Sequence, residues 1–121
     1  MSTLSVSNIT DGTDTVETGY VVNGSAKAWV MHNSSTVAQD SLNVSSLTDS
    51  ATGKTAVNFS NSFGAKNYAT SICSMRSSGS NSHYENNGVS SSASALHAVY
   101  ISGTSAADTN VASVICVGDL A

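Results

Sequence analysis

The 121-residue sequence predicts an all-β fold, an antiparallel β-sandwich of jelly-roll-like type, and three observations carry that reading. Short runs rich in Val, Ile, Tyr and Thr are separated by N-G, D-G, T-G, S-G and N-N-G. Punctuation at such short intervals marks strands joined by tight turns. No proline occurs, so no run is interrupted as a strand. Helical periodicity over a long window is absent, the best places for a turn or two of helix being Ser60–Lys66 and Ser90–Ala95. The length suits one domain, residues 1–121, whose core is small enough for oligomerisation to be a natural supplement.

The first strand is expected at Leu4–Ile9, followed by a D-G-T-D turn at Asp11–Asp14. Gly19–Val22 reads as the second, with Asn23-Gly24 as a turn or bulge, and Ser25–His32 as the third. In that third strand Ala26, Ala28 and Val30 alternate with Lys27, Trp29 and Met31, small apolar side chains on one face and larger ones on the other. Apolar residues on both faces predict a strand that is central or covered by a neighbouring subunit. Ser41–Thr48 and Lys54–Ser60 read as a hairpin joined at Asp49–Gly53, because Thr55, Val57 and Phe59 alternate with Ala56 and Asn58. Lys66–Cys73 follows, then a long polar stretch, Ser77–Ser94, read as a loop with at most a short strand near His83–Tyr84. Leu96–Ser102 and Asn110–Val117 are expected to close the chain as a terminal hairpin around a turn at Gly103–Asp108.

Charged residues are 10% of the chain, against roughly 25% in ordinary soluble domains. Ser, Thr and Asn fill 48 positions, so the exposed strand faces are expected to be hydroxyl- and amide-rich. The net charge is −4, and Lys27, Lys54, Lys66 and Arg76 are scattered. That excludes the clustered cations with which proteins displace counterions from nucleic acid. No apolar run reaches the length of a membrane-spanning helix, and Met1–Ile9 has neither the basic nor the apolar region of a secretion signal. Synthesis in a cytoplasm is therefore expected, and nucleic-acid and membrane partners are not.

Little in the chain reads as reaction chemistry, and the sequence reading is of a protein that is not an enzyme. Cys73 and Cys116 read as two buried reduced thiols, with a disulfide between neighbouring strands as the alternative. No histidine stands at zinc-ligand spacing from either, so no metal or other cofactor is expected. His32, His83 and His97 are not accompanied by a nucleophile motif, and His97 reads as a packed or interface residue. Asp11, Asp14 and Glu17 lack the spacing of a calcium loop, and Asp11 and Asp14 read as turn formers. Asn8, Asn23, Asn33, Asn43 and Asn58 sit in N-x-S/T triplets that the composition alone explains. Within Ser77–Ser94, His83, Tyr84, Glu85, Asn86 and Asn87 form the candidate outward recognition loop, since Tyr, Asn, Ser and Gly combine contact area with adaptable hydrogen bonding.

The most specific stretch is Y-V-V-N-G-S-A-K-A-W-V at Tyr20–Val30, followed by S-L-N-V-S-S-L-T-D at Ser41–Asp49. Together with L-S-V-S-N-I-T-D-G-T at Leu4–Thr13, V-N-F-S at Val57–Ser60, N-Y-A at Asn67–Ala69 and the ending V-G-D-L-A, it resembles small Ser/Asn/Gly-rich virion proteins of tailed bacteriophages. Many of these come from marine phages. The likeness covers most of the chain except Arg76–Leu96. The family pattern continues with a glycine-containing turn, whereas Met31–Thr36 reads M-H-N-S-S-T.

The resemblance implies a non-enzymatic virion structural protein, made in the host bacterial cytoplasm and carried on the particle, and it supplies no residue-level binding site. Fibre and decoration proteins of this kind are commonly trimers, so a homotrimer is expected, with Tyr20, Trp29 and Val30 in core or subunit packing. The implied partners are other copies of the chain, the major capsid protein or tail proteins of the same phage, and a host surface glycan. The familiar pattern starts within a few residues of Met1, which leads to the expectation of a capsid-decorating cement or head protein over a tail fibre or receptor-binding tip. A carbohydrate-binding module is the alternative from another class.

Overall fold

The computed structural model describes residues 2–75, 82–100, 108 and 110–120, the side chains at 74–75, 82–89 and 93–100 excepted. The protein is mostly β, with antiparallel sheets and one short helix, and neither sheet closes into a barrel among the described residues. It opens with an antiparallel ribbon of β1 (Asn8–Thr10) and β2 (Thr15–Glu17). The strand expected at Leu4–Ile9 is thus confined to its end. The turn expected at Asp11–Asp14 is present. The Asp11 carboxylate accepts the N–H groups of Thr13 and Asp14, both at 2.9 Å, and Gly12 takes the left-handed conformation at φ 102°.

The strand expected at Gly19–Val22 is instead part of a helix, α1 (Thr18–Gly24). Its residues favour helix poorly, and what holds them is at the ends. The Thr18 N–H donates to the Ser7 carbonyl at 2.8 Å and its hydroxyl to Val6 at 2.6 Å. At the other end the Ser25 N–H donates to Val21 at 3.2 Å, and the Lys27 ammonium donates to the Val22 carbonyl. A cation and a donor on the orphan carbonyls are what a helix C-terminus needs. No helix forms at Ser60–Lys66 or Ser90–Ala95, whose backbone groups are used in long-range pairing.

Eight further strands make two four-stranded sheets. The first has the order β4 (Ala38–Leu42), β3 (Ala26–Asn33), β10 (Val111–Val117), β7 (Ala69–Met75). The second has the order β5 (Val44–Ala51), β6 (Lys54–Phe59), β9 (Ala93–Tyr100), β8 (Ser82–Val89). β3 is central, as its two-faced pattern predicted, and the β5–β6 hairpin is present.

Three expectations are corrected here. Ser41–Thr48 is not one strand: Asn43, at φ 56°, breaks it and passes the chain from the first sheet to the second. The Asn43 side chain secures that corner by accepting the Asn61 N–H at 2.7 Å and donating to its carbonyl at 3.0 Å. The last two strands are not a hairpin, because β9 pairs with β6 and β8 whereas β10 pairs with β3 and β7. Ser82–Val89 is a strand and not a loop: ladder bonds to β9 sustain it at a sheet edge without apolar alternation. The turn expected at Gly103–Asp108 lies outside the described residues apart from Asp108.

One core joins the sheets. Ala28 and Val30 of β3 and Val114 and Cys116 of β10 meet Val57 and Phe59 of β6, with Val44, Leu47 and Ile72 packed against them. The β6–β7 connection, Ser60–Tyr68, fills one end of this core. Phe63 stacks on Tyr68 with ring centroids 4.2 Å apart, and Phe59 meets both edge-on. Backbone bonds fix the connection, Phe63 N–H to Ser91 at 2.8 Å and Gly64 N–H to Asp119 at 2.9 Å, and the Tyr68 hydroxyl donates to Ser90 at 3.0 Å. Gly118 faces this aromatic layer so closely that a β-carbon there would lie 2.6 Å from Cβ of Tyr68.

Candidate functional site

Alternation along β3 gives its two faces different tasks. Ala28, Val30 and His32 point into the core, and Lys27, Trp29 and Met31 point outward. Antiparallel register then builds a row on the outer face of the first sheet. Trp29 lies between Leu42 of β4 and Ile115 of β10, with Met31 beside it. Trp29 is half-buried, while Leu42, Ile115 and Met31 are exposed. Of the three residues expected in core or subunit packing, Val30 is in the core, Trp29 stands on this outer face, and Tyr20 is exposed on α1. Sequence alternation separated the faces of β3, but only the pairing register shows that Leu42 and Ile115 flank Trp29.

The candidate recognition residues occupy β8, the edge strand of the second sheet. His83 stands opposite Val99, Tyr84 opposite Ala98, Glu85 opposite His97 and Asn86 opposite Leu96. Asn87 falls where the register shifts between Asn86 and Val89, and such a bulge bends an edge strand. The side chains of these residues, and of His97, lie outside the described residues.

His32 is buried, with Nδ1 3.0 Å from the Asn33 carbonyl oxygen and Nε2 without a hydrogen-bond partner among the described residues. Cys116 is buried in the core, whereas Cys73, expected to be buried, is exposed at the third residue along β7 from Thr70. Both thiols are free, Ser113 standing opposite Cys73 and Thr70 opposite Cys116. Burial pushes the Cys116 thiol upward against a smaller opposing pull from the Thr70 hydroxyl, 4.0 Å away. The Asp11 carboxyl is held below its ordinary range by the N–H groups of Asp14 and then Thr13.

An open depression of about 460 Å³ lies between β2 and α1, lined by Glu17, Gly19, Tyr20, Asn23 and Gly24. A second, of about 420 Å³, is lined by Gly64, Ala65, Asn67, Tyr68 and Asp119. Among the described residues no three His, Cys, Asp or Glu side chains are grouped to hold a metal ion, and no helix is long and apolar enough to cross a membrane. No family model, no curated protein and no solved structure matches this chain.

Proposed function

We propose that this chain is a structural protein of a tailed-bacteriophage virion that decorates the capsid surface, acting by docking and not by catalysis. One observation carries the reading: the K-A-W-V strand of the resemblance is β3, the centre of its sheet. It puts Ala28 and Val30 into the core and leaves Trp29 outside in an apolar row with Leu42 and Ile115. A body that builds its core from one face of a strand and offers a tryptophan on the other suits a component of an assembly. The two sheets are read as the layers of a sandwich. Of the jelly-roll-like wrap expected from the sequence, the strand order supports only the long-range returns of β10 beside β3 and β9 beside β6, since β3–β4, β5–β6 and β8–β9 pair within one sheet.

The copies associate as a homotrimer, which gives closed symmetry and leaves no open chain of subunits. On the particle the partner is the major capsid protein, and tail proteins take that place if the chain belongs to a fibre. The test is co-sedimentation of the purified protein with capsids of the parent phage at low and high salt. Saturable attachment that survives high salt is expected, because apolar contact is not screened. Failure to attach, with binding to isolated tails or to host-surface glycan, would replace the capsid role with the receptor-binding one.

A further inference from the structure

Residues 2–25 form an arm with no core of its own. All of them are exposed except the half-buried Thr18, and no residue of α1 is buried. A ribbon of three-residue strands and a seven-residue helix are each too short to be stable in water without packing against something. The arm is nonetheless apolar: Ile9 stands opposite Val16 on the ribbon, and Tyr20, 71% exposed, precedes Val21 and Val22 on the helix.

The arm leaves the body beside the outer face of the first sheet, already found to be apolar around Trp29. Lys27, on the same face of β3 as Trp29, holds the Val22 carbonyl at the end of α1. Helix end, Trp29, Leu42 at 48% exposure and Ile115 at 47% are therefore continuous on one side of the molecule.

We infer that this side is a self-association surface, on which the arm of one copy lies against the outer face of β4-β3-β10-β7 of a second copy. The area fits that occupant. The exposed fractions of the seven large apolar side chains on the arm, with Met31, Leu42 and Ile115, amount to about five whole side chains. At about 150 Å² each, that is roughly 750 Å² per copy, about 550 Å² from the arm and about 200 Å² from the face. In a closed ring each copy gives its arm to one neighbour and its face to the other, so its total over both contacts approaches the roughly 800 Å² per partner of a standard interface. A second copy supplies both halves of the match at once, since every copy carries an arm and a face. The inference rests on the reading of the chain as a self-assembling structural protein and names the surface used.

The experiment is sedimentation equilibrium of the full chain across the micromolar range, with Ile115→Glu for the face and Val16→Glu for the arm. Both positions are exposed in the single chain, so far-UV circular dichroism and the thermal midpoint, taken at a dilution where the wild type is dissociated, are expected to stay with the wild type. The wild type is expected to associate, and each variant to weaken association roughly 100-fold or more, the loss expected when a charge enters a desolvated contact. Acrylamide quenching of Trp29 should fall on association in the wild type alone. A wild type that stays monomeric overturns the inference, as does association within about threefold of wild type in either variant. Capsid attachment by a monomeric wild type would sink the inference and leave the virion reading standing. Self-association through this surface without attachment to any virion part would do the reverse.

Discussion

Replacing Gly118 with alanine is a sharp test of how the core is closed. The new β-carbon would lie 2.6 Å from Cβ and 3.1 Å from Cα of Tyr68, and 3.3 Å from Cδ1 of Phe63. The first two atoms are anchored to backbone, so no rotamer change relieves the clash. Either the Ser60–Tyr68 connection or the end of β10 must move. The first opens the 4.2 Å stack of Phe63 on Tyr68, and the second breaks the Gly64 N–H bond to Asp119 at 2.9 Å. Overpacking of this kind costs about 1–3 kcal/mol, and a lost backbone hydrogen bond adds about 1 kcal/mol. A loss of about 3 kcal/mol is expected, or roughly 10 °C in thermal midpoint for a chain of this size.

The assay is urea unfolding followed by Trp29 fluorescence, at one fixed protein concentration because association shifts apparent stability. Gly19→Ala is the control, since a β-carbon there meets nothing within 4 Å. If Gly118→Ala unfolds within about 0.5 kcal/mol of wild type, the surface-substitution range, the close approach of Tyr68 to Gly118 is not real and the reasoning fails.

Thr36, a β-branched residue at φ 57° in the turn after β3, is strained by about 1–2 kcal/mol; Thr36→Asn should recover about 1 kcal/mol in the same urea assay. His32→Leu removes a buried nitrogen that has no partner among the described residues and, less the Nδ1 contact with the Asn33 carbonyl, should stabilise the fold by up to about 1 kcal/mol, read by calorimetry. With a thiol reagent, the exposed Cys73 should react quickly in the native protein and the buried Cys116 only after denaturation. The Asp11 carboxylate is favoured in its charged form by the turn N–H groups. Its contribution is therefore present above the ordinary carboxylate range and lost as pH falls through its depressed folded value. Amide resonances of Thr13 and Asp14 followed by NMR should move in that lower window. Trp29→Ala, which removes a half-buried ring, should cost the isolated fold about 1–2 kcal/mol and also weaken association in sedimentation.

The body of the fold was legible where local pattern and final pairing agree. Alternation located β3 and β6, the closing run Asn110–Val117 located β10, and the D-G-T-D turn was readable because Asp11 and Gly12 act within four residues. The arm misled because Tyr20, Val21 and Val22 have the composition of a strand. Their helix is fixed by Lys27 and Ser25 beyond its end and by Val6 and Ser7 before it, contacts that no residue-by-residue preference contains. β8 was missed for the opposite reason, its polar residues forming a strand through backbone pairing with β9. The division of β4 from β5 turns on the left-handed conformation of Asn43 and its contacts with Asn61, eighteen residues away. Trp29 was singled out by composition, but its neighbours Leu42 and Ile115 come from sheet register that the sequence pattern does not specify.

The claim that this chain decorates a phage capsid is tested most directly by immunogold electron microscopy of intact particles from the parent phage, with an antibody to this chain. Label distributed over the head is the predicted result. Label confined to the tail, or absent from the particle, would contradict it.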